Sequence, residues 1–146
     1  MPADEWIPRP LISSSKEWRE QAGRYRLEGS KCKECGEVYF PKRWSCPKCH
    51  SMELQEICLK PSGTIVEATI GYGTAIGWEG FYPMQGAIIR LDDGPLIAGE
   101  IIGMDGPIKP ETRVKLVIRK IGRDTLGANL YGFKFVPAVT GKDSEV

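Results

Sequence analysis

A chain of 146 residues with a formal net charge of +1 and 27% charged residues has room for one ordinary domain, or for a small metal-held module joined to a core of about 80 residues. So balanced a charge excludes a strongly basic nucleic-acid binder, and no uninterrupted apolar run approaches the ~18 residues of a membrane span. The opening MPADEWIPRP has Asp4 and Glu5 where a signal peptide is basic, with no apolar stretch behind them, so the expected compartment is the cytoplasm.

Along the chain, Ser14-Ser15-Lys16-Glu17 fits a capping box, with Ser14 as N-cap and Glu17 at N3, and Gly23 offers a stop. The pattern predicts a short helix over residues 15–22. Two turns cannot stand alone. Trp18 is therefore expected to pack against the ribbon that follows, or against another protein, and Trp6 upstream adds a large apolar group without an obvious partner.

Two knuckles come next, Cys32-Lys33-Glu34-Cys35-Gly36 and Cys46-Pro47-Lys48-Cys49-His50, with ten residues between the pairs. Two thiolates separated by two residues can curl round one ion, and two such turns facing each other close a tetrahedron. A closed Cys₄ set leaves no position for water or substrate, so it is structural rather than hydrolytic. Iron or disulfides could use the same cysteines, but two tight pairs with a short gap favour zinc in a reducing compartment. His50 stands where a knuckle usually has glycine, a place histidine tolerates because it enters the left-handed region more readily than most residues. That position makes the chain's one histidine a poor general base.

Between the knuckles, Tyr39, Phe40 and Trp44 interleave with Lys42 and Arg43. In a ribbon too small for a core they are expected first as hydrophobic filling, with base or adenine stacking as the alternative. Residues 24–50 carry seven basic groups against three acids, a formal excess that four thiolates and one zinc lower to about +2. The same correction takes the whole protein to about −1. Cys58, beside Ile57 and Leu59, is expected to be a buried small hydrophobe rather than a nucleophile.

From Gly63 onward five β-type runs follow: Thr64–Ile70, Ala87–Leu91, Leu96–Ile102, Arg113–Arg119 and Leu130–Phe135, the second and third joined by the turn Asp92-Asp93-Gly94-Pro95. Five short strands in about 75 residues suggest a small closed barrel, the OB-fold first among candidates. In the fourth run Val114, Leu116 and Ile118 should point inward, leaving Arg113, Lys115 and Arg119 outside. The glycine-rich loop after the first run bears Trp78, Phe81 and Tyr82. Its glycines fit neither a phosphate loop nor a dinucleotide fingerprint. These three aromatics and the three cations are the candidate ligand or partner contacts. No nucleophile elbow or paired-carboxylate constellation is present.

Read together and in order, Tyr25-Arg26-Leu27, the first knuckle, Tyr39-Phe40-Pro41, the second knuckle, Gly63-Thr64-Ile65-Val66, Pro83 and Leu91-Asp92-Asp93-Gly94 closely resemble a family of prokaryotic proteins. Its members pair a rubredoxin-like zinc ribbon with an OB-fold and associate with thiolase-type enzymes. The match runs from about Trp18 to Pro137. The resemblance implies a mainly β protein, with an N-terminal helical segment and ribbon over residues 1–60 and an OB-fold with a C-terminal tail over 61–146. It implies one structural zinc on Cys32, Cys35, Cys46 and Cys49. Some members bridge acetoacetyl-CoA thiolase and hydroxymethylglutaryl-CoA synthase, and others are fused or bound to acyl-CoA hydratases or steroid thiolases. The implied role is therefore a non-catalytic accessory subunit that helps bind or transfer acyl-CoA, although no family motif assigns coenzyme A contacts to particular side chains. The alternative is a single-stranded nucleic-acid module, since ribbons and OB-folds both bind single strands. A third reading, electron transfer through iron, rests on the knuckles alone.

Overall fold

The computed structural model describes residues 14–73, 83–104, 106–123 and 129–138. A single helix, α1 (Ser14–Tyr25), leads into a three-stranded antiparallel sheet of β1 (Glu28–Cys32), β2 (Val38–Tyr39) and β3 (Leu54–Cys58), in the order β2-β1-β3. Five further strands, β4 (Ser62–Gly71), β5 (Met84–Leu91), β6 (Leu96–Ile101), β7 (Arg113–Arg123) and β8 (Asn129–Pro137), form a closed barrel in the order β4-β5-β6-β8-β7. Three antiparallel neighbours, a parallel β6–β8 contact and closure of β7 on β4 make this the five-stranded OB-fold expected from the sequence.

The helix is longer than its sequence signals. It runs through Gly23, and the chain leaves it at Leu27, whose φ of 49° supplies the left-handed turn expected of the glycine. Glycine inside a helix costs about 1 kcal/mol, and contacts of the last turn offset it: a tertiary one, in which Tyr25 donates its hydroxyl to the carbonyl of Tyr131 at 3.3 Å, and a local one, the i,i+4 pair of Arg24 with Glu20 at 2.5 Å. The side chains of Ser14 to Glu17, and with them the capping box, lie outside the described residues.

Alternation decides which residues fill the barrel. Ile65, Ile89, Leu91, Val114 and Phe135 are buried to 2% exposure or less, each contributing roughly 1.5–3 kcal/mol on leaving water. A bulge at Val66, between Ile65 and Glu67, turns that side chain outward and bends β4, which pairs with β7 over its first residues and with β5 along its length. In β7, Val114 and Leu116 are buried while Arg113, Lys115 and Arg119 face solvent, as the alternation requires. At Gly63 the three strands meet so closely that a Cβ would lie 2.5 Å from the carbonyl oxygen of Arg90. At Gly99 a Cβ would lie 2.7 Å from the Phe135 ring, so the missing side chain makes room for the largest core residue.

The core does not stop at the barrel. Leu27 and Leu59 are buried in the same cluster as Ile65 and Val114, with Val38, Phe40 and Ile57 packed against it. A polar clamp lies over this joint. The β5–β6 turn holds Asp92, which accepts two bonds from the Arg113 guanidinium at 2.6 and 3.0 Å and one from the Ser62 hydroxyl at 2.5 Å. Asp93 next to it accepts from the backbone N–H of Lys60 at 2.6 Å. The Arg113 guanidinium, first, and the Ser62 hydroxyl hold the Asp92 carboxyl down at about 2. A lowered carboxylate stabilises the fold above its ordinary value near 4, and that stability is lost as pH falls through the folded value. Asp92→Asn should therefore cost about 1–2 kcal/mol at pH 6, after allowance for solvent screening. The gap between variant and wild type in urea denaturation should close towards pH 2. A pH-independent gap would refute the charge as its cause.

Candidate metal centre

The two knuckles are built alike. In the first, the N–H of Gly36 donates to the carbonyl of Cys32 at 3.0 Å and the N–H of Cys32 to that of Glu37 at 2.9 Å; in the second, His50 donates to Cys46 and Cys46 to Ser51, both at 2.9 Å. Each turn needs a left-handed residue after its second cysteine, and Gly36 (φ 72°) and His50 (φ 58°) fill that place. His50 is thus consumed by backbone geometry, as its position in the motif predicted. Cys32 sits at the end of β1, Cys35 and Cys49 lie in turns and Cys46 directly precedes the second turn, so the end of β1 sets the first knuckle against the second.

The four sulfurs lie within 4.8 Å of one another. Cys32 and Cys49 approach to 3.5 Å, as do Cys35 and Cys46. Zinc–sulfur bonds of about 2.3 Å place tetrahedral ligands about 3.8 Å apart, so the residues fit a zinc ion with little adjustment. Without a cation, four thiols this close cannot all ionise, and they divide. The Cys35 N–H, first, pulls Cys32 down; the Tyr39 hydroxyl, ahead of the Cys49 and Lys48 N–H groups, pulls Cys46 down to about 6. Cys49 is pushed up to about 12: the Ser51 N–H opposes the rise, and the Cys46 thiol and burial outweigh it. At Cys35 the Glu37 N–H likewise opposes the rise, and burial with the Cys46 and Cys32 thiols outweighs it. A divalent ion removes this conflict by allowing all four to deprotonate.

The aromatic residues between the knuckles separate into different roles. Phe40 packs against the core, whereas Trp44 is 92% exposed and is not the filling it was expected to be. Tyr39 is half-buried and places its hydroxyl 3.3 Å from the Cys46 sulfur, with the Arg43 guanidinium 5.7 Å from its ring centre. Trp18 is 72% exposed, so it does not pack against the ribbon. Leu27 and Phe40, not Trp18, pack against the shared core there. Cys58 is exposed at the end of β3, because that strand turns Ile57 and Leu59 towards the core instead.

The other candidate contacts are scattered. Arg113 is engaged by Asp92 and by the Thr64 hydroxyl at 3.1 Å, Lys115 is exposed, and Arg119 donates to the carbonyl of Ile118 at 3.0 Å. Trp6, Trp78, Phe81 and Tyr82 lie outside the described residues. The basic ribbon residues are largely answered by acids: Lys33 by Glu53, Lys48 by Glu37, and Lys42 by Glu28 and Glu56. A cleft of about 460 Å³ opens between α1 and the ribbon, lined by Ala22, Gly23, Phe40 and Pro41 together with the basic Arg19 and Lys42 and the acidic Glu20 and Glu28. Neither the cleft nor the Asp92–Arg113 clamp was legible in the sequence, since their parts come from distant segments. Among the described residues no helix is long and apolar enough to cross a membrane.

Residues 19–55 match the family described as ChsH2, rubredoxin-like zinc ribbon domain. With the fitting four-cysteine cluster, that assigns the protein one structural zinc. A DUF35 domain-containing scaffold protein of Pyrococcus furiosus is 35% identical over 127 residues, covering 86% of this chain and 93% of the relative. The benzoylsuccinyl-CoA thiolase subunit BbsA of Thauera aromatica is 27% identical over 110 residues, 75% of this chain and 74% of that subunit. Among solved structures, a chain of the Ltp2-ChsH2(DUF35) aldolase shares the fold with a TM-score of 0.65 at 22% identity, over 90% of this chain and all of that one. A ribbon ahead of a closed OB barrel, a four-cysteine centre and similarity along nearly the whole chain converge: this chain belongs to the family of DUF35 domain-containing scaffold proteins.

Proposed function

We propose that the protein is a non-catalytic accessory subunit that assembles with a thiolase-type enzyme. The observation that carries this reading is Trp18. It stands 72% exposed on a helix whose other contacts, with β1 and β8, are already made. A large exposed aromatic on an anchored helix is the kind of group that becomes an interface hot spot. The scaffold names of the relatives and the thiolase-subunit name of the Thauera aromatica relative support the assignment. So does the chemistry: a four-thiolate centre has no open position, and the one histidine is held in a knuckle turn.

In the finer form of the proposal the partners are acetoacetyl-CoA thiolase and hydroxymethylglutaryl-CoA synthase, and the protein helps to hold or pass acyl-CoA. The apolar part of the cleft beside α1, Ala22, Gly23, Phe40 and Pro41, suits an acyl end, and phosphates would have to displace Glu28 and Glu56 from Lys42, since Glu20 and Glu28 line the cleft beside Arg19 and Lys42. Trp78, Phe81, Tyr82, Lys115 and Arg119 remain the other proposed contacts. The test is affinity purification from the native host with identification of co-purifying proteins. Thiolase-type subunits should be recovered, and Trp18→Ala should reduce their recovery several-fold while zinc content stays the same. Recovery of ribosomal or replication proteins instead would establish the nucleic-acid reading, against which the paired ribbon lysines already weigh.

A further inference from the structure

Tyr39 lies in β2, the short middle segment between the knuckles, and pairs across the sheet with Ser30 of β1. That pairing holds the residue beside the second knuckle. Its hydroxyl oxygen is 3.3 Å from the Cys46 sulfur, and Cys46 is buried to 1% exposure. A metal-bound thiolate has no proton to give, so the phenol is the donor and the sulfur the acceptor. Over the ring sits the guanidinium of Arg43, 5.7 Å from the ring centre, and the backbone N–H of Arg43 is anchored at 2.9 Å on the hydroxyl of Ser30. Ser30, itself 1% exposed, therefore holds both the strand that carries the phenol and the loop that carries the cation. A guanidinium over an aromatic face draws electron density from it, which makes the phenol a stronger donor to sulfur.

We infer that Tyr39, backed by Arg43, is a positioning and tuning residue of the metal centre, its O–H···S bond taking negative charge off the Cys46 thiolate and holding that ligand in place. The other thiolates are served by backbone N–H groups of their own knuckles. Among the described residues, Cys46 alone of the four has a side-chain hydroxyl as partner in addition. A partner of this outer kind orients a ligand and sets how firmly the metal is held, and its loss typically weakens binding about 10- to 100-fold.

The test uses the full chain with cobalt(II) in place of zinc, because the sulfur-to-cobalt charge-transfer band reports the electron density on the sulfurs. Tyr39→Phe keeps the ring and its packing and deletes only the hydroxyl. Its band should move to lower energy, since a thiolate without its hydrogen bond gives up an electron more easily, and its zinc should pass to a chelator about ten-fold faster than in the wild type. A merely structural role for the ring would leave the band in place. Either a band at the wild-type energy or a wild-type rate of zinc loss overturns the proposal. Should Tyr39→Phe fail to take up one equivalent of cobalt, Arg43→Ala carries the test: a smaller shift in the same direction supports the tuning role, and no shift overturns it.

Discussion

Cys46→Ser should leave the ribbon unfolded and the protein without metal. A structural zinc in a small domain contributes about 10–16 kcal/mol of folding free energy at neutral pH, and the sheet β2-β1-β3 has little else to rely on. Its buried residues are few, and its surface ion pairs, such as Lys33–Glu53 and Lys48–Glu37, are solvent-screened and add little. Elemental analysis of the wild type should find one zinc per chain and no iron, and the solution should be colourless. Hydrogen exchange over residues 28–58 should lose its protection in Cys46→Ser. Cys58→Ser is the control: that cysteine is exposed and outside the cluster, so it should be nearly silent. A Cys46→Ser protein that stays fully folded without metal would show that the zinc is not structural.

Phe135→Ala should open the barrel rather than the ribbon. Phe135 is completely buried, with Phe133 edge-on at 6.1 Å and Gly99 beneath its ring. It also occupies the one register point at which β8 runs parallel to β6, where its carbonyl accepts the N–H of Ile102 at 2.9 Å. Truncating a ring of this kind costs about 3–5 kcal/mol, transfer and cavity terms together, a large share of the stability of a chain this size. Urea denaturation should show the loss. Zinc content should not change, because each knuckle is tied by its own backbone bonds. This outcome would support dividing the chain at residues 60 and 61, into a ribbon unit and a barrel unit. Zinc lost in parallel with the barrel would refute that division and make the shared core of Leu27, Leu59 and Ile65 the controlling feature.

Most of what the sequence determined by itself was local. The spacing within and between the cysteine pairs was enough for the metal, because a knuckle is closed by bonds between residues four and five apart. It also foretold the left-handed His50. Period-two alternation announced Val114 and Leu116 as core and Arg113, Lys115 and Arg119 as surface, and turn chemistry announced the bend at Asp92-Asp93-Gly94-Pro95. The order of these parts was enough to recognise the family.

Tertiary structure decided whatever depends on segments far apart in the chain. Gly23 is a helix stop by local rules, yet the helix continues to Tyr25 because that residue reaches Tyr131. Tyr39, Phe40 and Trp44 look interchangeable as aromatics. One bonds a cysteine, one packs against the core and one stands in solvent, and strand register and the shared core, not local pattern, assign each its place. Arg113 had the look of a free cation, and only the closure of β7 on β4 brings it to Asp92, 21 positions earlier. Periodicity gives the side of a strand on which a residue lies. What it meets there depends on the partner strand, and no local pattern encodes that.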